Sequence, residues 1–370
     1  PISGSTKFSK IFTIRKFPIY MGVVNKSKRF EFKQLTFNIN KSSGSVQIHP
    51  KVPLKKLYFK PHGSGTVGMT WKNHHSSFFK FLNKDFKNLV IEIGGGHNSV
   101  SESIGLSGFK KNYKLISFDP NGKKYSNPNH FIVKDFFSKK YVKKYKDKIS
   151  LVIHSHLFEH IYDPNNFLTD INNSLKIGGL HIFSVPNLKF MIKNGYSNAM
   201  NFEHPYFLEE SMIDYLLKKN GFKILKKRKY LNHSIFYKTK KTTNNPKKIN
   251  VYRKFEINKR LFKDYYRNLK KDINLINKKI KTYQNVYLFG AHIFSQMLIF
   301  NGLNTSLIKN ILDNDKKKHN QYLYGTKIKV VGPKTLRKVD KPIIILRAAQ
   351  YSNEIKKDIL KNINYKTRFI

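Results

Sequence analysis

Apolar and polar positions change rhythm along this chain, and the changes mark four regions. Residues 1–85 carry short alternating stretches, "RFEFKQLTFNI" and "SVQIHP", then "WKNHHSSFFKFLNK", whose apolar residues recur at helical spacing. Alternation reads as half-buried strand and the longer period as helix, so a small N-terminal lobe with a lead-in helix is predicted. Across 86–240, the apolar cores "NLVIEIGG", "KLISFDP", "FIVKDFF", "ISLVIHSHLF" and "GGLHIFSVP" alternate with helical stretches. Apolar runs of strand length separated by helices predict a parallel, doubly wound, Rossmann-like α/β domain. Residues 241–283 include "NKRLFKDYYRNLKKDINLINKKIKTY", polar and Lys-rich with Leu, Phe, Tyr and Ile at helical intervals, which predicts a long connecting helix. From 284 to 370, "NVYLFGAH", "LIKNILDND", "KIKVVGP" and "KPIIILRA" open a second Rossmann-like α/β domain.

Composition narrows the chemistry. At 370 residues and 39% hydrophobic the chain is long and apolar enough for several packed cores. Cysteine is absent, which excludes disulfides, thiolate zinc sites and cysteine nucleophiles. The stretch "NVYLFGAHIFSQMLIFNGL" from Asn285 has the length of a membrane span, but its Gly, His, Gln and Asn favour a buried strand, turn and helix. The absence of cysteine fits a reducing cytoplasm, the expected location. No charged, apolar, small-residue leader is seen, and a start at Pro1 rather than Met suggests that the first residues are missing. A formal charge of +49 attracts phosphates on nucleic acid, on a nucleotide-linked substrate or on a membrane. Yet nine of the 71 basic residues are Arg and the lysines spread along the whole length. Dedicated nucleic-acid binders gather their charge on one face, so drift of composition explains the charge first and a bias toward anionic ligands second.

Candidate chemistry sits at predicted strand ends. In "VIEIGGGHNS", Glu92, Gly94, Gly95 and Gly96 end the first strand of the middle domain, where glycine lets a ligand approach the backbone. The next strand ends in Asp119 within "FDP", the third in Asp135 within "VKDFF". Each acidic residue alone is as well explained by a solvated loop or a helix cap. Spaced along successive strand ends, they favour a nucleoside-containing ligand across the carboxyl edge.

With these motifs and "VIHSHLFEHIYDPNNFLTDINNSLKIGGLHIFSVPN", the chain resembles the class I S-adenosylmethionine-dependent methyltransferases over about 150 residues. The resemblance implies S-adenosyl-L-methionine as cofactor, with Glu92, Gly94 and Gly96 at its amino-acid end, Asp119 at the ribose and Asp135 on the adenine side. Gly95 and His97 depart from the family's turn. Outside that core, "LYFKPHGSGT", "YLFGAHIFSQMLIFNGL", "ILDNDKKKHNQYLYGTKIKVVGP" and "IIILRAAQYSNEI" are similar to the nucleotide-sugar C-methyltransferases. That resemblance implies methyl transfer to a deoxy-keto sugar, with a base removing a proton next to a carbonyl. The family begins with a cysteine-held zinc lobe that this chain cannot build. His74 and His75 do not replace it, because adjacent helical residues point about 100° apart, and no metal is expected.

His160, after the fourth strand, and Glu203-His204, after the fifth, match family positions associated with catalysis. His204 is the expected base and Glu203 its orienting partner. Asn201 stands where the family often has Tyr. His160 alone is as readily architectural, and Glu203-His204 alone would read as a polar turn before "LEESMIDYLLKKNGF". Tyr58, His62 and His74 precede the middle domain and are candidates to close over a substrate, although each singly suits packing or surface. Gly290, Ala291 and His292 form a turn able to hold a diphosphate on backbone N–H groups, or merely a packing lobe. O-methylation of a sugar or other small molecule, an RNA-binding protein or RNA methyltransferase, and a non-catalytic scaffold are the alternatives. No aromatic-basic binding module supports the RNA readings.

Overall fold

The computed structural model describes residues 2–25, 30–58, 68–95, 100, 103, 112–122, 127–199, 201–243 and 254–370. Of the expected site residues, His62 and Gly96 lie outside them, as does His97. Contacts divide the chain into a first unit, Pro1–Lys7, Gly68–Leu188 and Tyr206–Arg253, and a second, Phe8–Val67, Lys189–Pro205 and Lys254–Ile370. Of the region read as an N-terminal lobe, the strands fall in the second unit and the helix Met69–Leu82 in the first. The helix read as a connector, Phe255–Ile280, falls in the second. No helix among the described residues is long and apolar enough to cross a membrane.

The first strands of the second unit are β1 (Phe8–Pro18), β2 (Val23–Val24), β3 (Phe32–Asn40) and β4 (Val46–His49). Strands β1, β3 and β4 pair antiparallel in that order. Apolar packing holds this sheet: Ile14, Leu35, Ile39, Val46 and Ile48 are buried, and Phe12 stacks between Phe37 and Tyr266 at 4.6 and 4.3 Å. Rings and aliphatic side chains thus supply the cohesion of this sheet.

In the first unit, β5 (Asn88–Ile93), β6 (Tyr113–Phe118), β7 (His130–Val133), β8 (Ile149–Ser155), β9 (Leu175–Pro186), β10 (Phe222–Tyr230) and β11 (Ser234–Lys241) form one sheet. Its order is β10-β11-β9-β8-β5-β6-β7. The pairs β5/β6, β6/β7, β5/β8 and β8/β9 are parallel, and β11 runs antiparallel to β9 and β10. Both faces of β5, β6, β8 and β9 are largely covered, which is why those strand sequences are mainly apolar, whereas the edge strand β10 is Lys-rich and largely exposed. Ile91 and Ile93 enter one buried cluster with Val152, Leu168 and Leu216, while Val90 enters the other with Phe78, Leu151 and Ile153. The helix Pro164–Ser174 starts sharply because Asp163 accepts the Asn166 N–H at 3.0 Å and proline occupies its first turn. The chain runs β5, β6, β7 in one direction and then returns to place β8 on the other side of β5. That reversal makes the β5/β8 carboxyl ends a switch point, where such sheets open a ligand crevice.

The second unit closes with β12 (Val286–Phe289), β13 (Ile308–Leu312), β14 (Tyr322–Leu323), β15 (Val330–Val331), β16 (Ile343–Ile345) and β17 (Arg368–Phe369). A parallel sheet runs β15-β13-β12-β16-β17, and β14 pairs with β2. The helix Phe255–Ile280 buries Phe262, Tyr265, Ile273, Ile276 and Ile280, one stripe at helical spacing. The last three join Val286, Leu288 and Ile311 in the core of this sheet.

Candidate active site

At the β5 end, Glu92 is buried and accepts a hydrogen bond from Ser117 Oγ at 2.6 Å. Since Ser117 has a single proton and donates it to Glu92, the His130 Nε2 lying 2.8 Å from its oxygen is the donor to Ser117. Burial pushes the Glu92 carboxyl up to about 7, and burial also lowers His130 to about 4. Gly94 has φ +76°, a left-handed conformation that favours glycine, and its N–H donates to the Phe118 carbonyl. Gly95 is required for a different reason: a Cβ there would stand 2.4 Å from Glu92 Oε2. The glycine that departs from the family's turn is thus the one that leaves room for the buried carboxyl.

Asp119 follows β6 and accepts the Asn121 N–H at 2.7 Å. Asp135, after β7, accepts the Phe136 N–H at 2.8 Å and the Tyr141 hydroxyl at 2.9 Å. Three acidic side chains therefore end three adjacent parallel strands, beside Gly94 and Gly95. That set of acceptors fits the ammonium and ribose hydroxyls of S-adenosylmethionine.

At the β8 end stand His156, Glu159 and His160. Glu159 is buried, its Oε2 has no hydrogen-bond partner among the described residues, and burial pushes it up to about 8. Its Oε1 lies 3.5 Å from His156 Nδ1 and 3.9 Å from His160 Nε2. Glu159 escaped the sequence reading because the "EH" pair directs attention to its histidine, and only burial marks the glutamate. His74 is fully buried, with Nε2 3.1 Å from Ser184 Oγ. Trp71, His75 and His233 surround it, together with His156.

In the second unit, the turn after residue 199 presents Glu203 and His204. Asn201 organises it: its Oδ1 accepts the N–H groups of Glu203 at 2.7 Å and His204 at 3.2 Å, and its Nδ2 donates to the Asn198 carbonyl. The amide expected at a substrate is thus engaged in holding the backbone of the Glu-His pair. Glu203 is 3% exposed and its Oε2 accepts the Tyr58 hydroxyl at 3.4 Å. Tyr20, buried nearby, has its phenol pushed upward by burial and then by the Glu203 charge. His204 is half-buried, with Nδ1 3.4 Å from the Ala199 carbonyl. A carbonyl only accepts, so Nδ1 carries the proton and Nε2 the basic lone pair. Tyr58 and Asn201 were legible as site candidates, but their attachment to the Glu203-His204 turn was not.

Between β12 and the helix Ile293–Ile299, Gly290 adopts φ +100°. Its N–H donates to Leu312, that of Ala291 to Asp313 Oδ2 at 2.8 Å, and that of His292 to the Gly290 carbonyl. Lys318 pairs with Asp313 at 3.1 Å. An internal carboxylate with its own cation therefore sits where a diphosphate was expected to dock, and a phosphate here would have to displace it.

Family models match the chain as a "Methyltransferase domain" over residues 74–227 and as a "C-methyltransferase C-terminal domain" over residues 234–370. No curated protein matches. Solved structures similar to part of it include a SAM-dependent methyltransferase from Archaeoglobus fulgidus, at 16% identity over 46% of this chain and 94% of that one, TM-score 0.37. A SAM-dependent methyltransferase from Aquifex aeolicus shares 13% identity over 45% and 89%, TM-score 0.37. Magnesium protoporphyrin IX methyltransferase from Synechocystis PCC 6803, solved with bound SAH, shares 15% over 49% and 90%, TM-score 0.37. The assignment rests on the two family models: the chain is an S-adenosylmethionine-dependent methyltransferase that carries the C-methyltransferase C-terminal domain.

Proposed function

We propose that the enzyme methylates a carbon next to the carbonyl of a nucleotide-linked deoxy-keto sugar. The observation that carries this reading is the Glu203-His204 turn: a half-buried imidazole whose Nδ1 faces a carbonyl, leaving Nε2 basic, preceded in sequence by a buried glutamate. The C-methyltransferase C-terminal domain supports a carbon acceptor. His204 Nε2 takes the proton from the carbon beside the carbonyl, and the electron pair passes into an enolate. Glu203 steadies the imidazolium that results, and Asn201 holds both backbones in place. When bound, S-adenosylmethionine would supply an electrophilic, sulfonium-borne methyl as the group to be transferred. Glu92, Gly94 and Asp119 are proposed to hold the donor, with Asp135 on its adenine side and His160 assisting at the β8 end. A cysteine-free chain suits a reducing cytoplasm, the compartment we propose.

Deuterium wash-in tests the base. A nucleotide-linked keto sugar incubated in D2O with the enzyme exchanges its carbonyl-adjacent hydrogen, and His204→Ala lowers exchange and turnover by about 10²–10⁴-fold. Wild-type turnover without any wash-in, with the methyl found on oxygen by NMR of the product, would establish O-methylation instead. Mass spectrometry of products from a panel of nucleotide-linked keto and hydroxy sugars identifies the acceptor.

A further inference from the structure

We propose that His74, His156 and His233 form a binding site for a divalent first-row transition metal of the zinc class, at the carboxyl edge of the first unit's sheet. The three come from separate segments: the helix Met69–Leu82, the residue after β8, and the turn between β10 and β11. Their ring centroids make a nearly equilateral triangle, 5.1, 5.3 and 5.3 Å on a side. One nitrogen from each lies within 4.8 Å of the others, so some point is no more than 4.8/√3, about 2.8 Å, from all three. Zinc–imidazole bonds are about 2.0–2.1 Å, so each nitrogen needs to move by less than ~1 Å, within reach of side-chain torsions.

The surroundings are those of a ligand set. Ser184 Oγ lies 3.1 Å from His74 Nε2, and the other ring nitrogen, Nδ1, is buried with no hydrogen-bond partner among the described residues. A buried imidazole nitrogen left in that state costs free energy unless something binds it. Ser234 Oγ lies 2.8 Å from His156 Nε2 and 2.6 Å from His233 Nδ1, and Glu159 approaches His156 Nδ1 at 3.5 Å. Hydroxyls on the far side of ligating histidines fix ring orientation and raise ligand basicity, so with Ser234 on His156 Nε2 an ion would face Nδ1, on the side of Glu159. His156 is held at φ +49°, an uncommon conformation that turns its ring out of the strand. Its side chain is 15% exposed, which gives an ion a way in, and Trp71 covers another side at 4.7–5.4 Å from the three rings.

Three neutral nitrogens without a thiolate leave the ion its full charge and at least one open position. The ligand class for that position is a carbonyl, hydroxyl or carboxylate oxygen, polarised beside the β5/β8 switch point. This site departs from the expectation of no metal, which weighed only the adjacent pair His74 and His75. It does not depend on which acceptor is methylated.

Cobalt titration of the untagged, chelator-stripped full chain tests it. Visible d–d bands are expected to saturate at one equivalent of Co²⁺, to vanish on adding Zn²⁺, and to be matched by a rise in melting temperature. His75→Gln retains binding, whereas the double variant His74→Gln/His233→Gln weakens it by on the order of 100-fold or more, with an unchanged circular dichroism spectrum. Absence of a saturating band in the parent, or equal binding by the folded double variant, overturns the site. Should that variant fail to fold, X-ray absorption of the zinc-loaded parent decides: imidazole scattering from about three ligands supports the site, and its absence sinks it.

Discussion

Gly95 shows how one hydrogen atom in place of a methyl sets the chemistry of a neighbour. Its Cα faces Glu92, and Gly95→Ala would drive a methyl to 2.4 Å from Oε2 of a carboxyl hydrogen-bonded to Ser117. The carboxyl must move, and S-adenosylmethionine affinity is expected to fall about tenfold or more, roughly the loss of one charge-assisted hydrogen bond, read by isothermal titration calorimetry. Glu92 itself makes stability depend on pH. Its pKa rises on folding from 4.5 to about 7, so between those values the folded chain binds more protons than the unfolded one. Stability from the buried neutral form is therefore present at low pH and lost as pH rises through that window. Glu92→Gln cannot ionise. Relative to the parent it should gain on the order of 1–3 kcal/mol between about pH 5 and pH 8, measured by urea unfolding without cofactor. Parallel pH curves would mean that the carboxyl is ionised in the fold.

At the scale of elements, the helix Phe255–Ile280 was legible as a helix from its periodicity but not as part of a sheet's core. Its polar majority hides a stripe that buries Ile273, Ile276 and Ile280 against the strands, and Asp272 clasps Arg347 through two bonds of 2.6 and 2.7 Å. Ile276→Ala should cost about 2–4 kcal/mol, the usual range for emptying a fully buried aliphatic site, seen as a lower urea midpoint for the second unit. Arg347→Lys loses the planar fork and should cost less, about 1 kcal/mol. Parallel strand order was equally readable in kind, because apolar runs alternate with helices. The reversal that places β8 beside β5 was not, since neighbours in a sheet are chosen by packing after the strands exist.

For the whole molecule, charge poses the question that composition left open. A net +49 spread over lysines predicts anion binding without sequence preference. Binding to any single-stranded RNA should therefore fade by roughly 0.3 M salt with one common slope, while methyl transfer to a small acceptor persists there. A sequence-selective, salt-resistant complex would revive the RNA reading. The division into two units was only partly legible. The β-rich start and the long helix carry no signal of where they dock, and their apolar residues suit any complementary face.

The linear chain determined what depends on neighbours along it: strand and helix periods, glycines at strand ends, carboxylates at successive carboxyl edges, and the absence of thiolate chemistry. Tertiary structure decided what depends on distance in space and on exclusion of water. It buried Glu92 and Glu159 and so raised their pKa, bound Asn201 to the turn carrying Glu203 and His204, and turned the Ala291 N–H to Asp313. It also brought His74, His156 and His233 together from across the sequence. Desolvation and convergence are properties of packing, and no period in the chain encodes them.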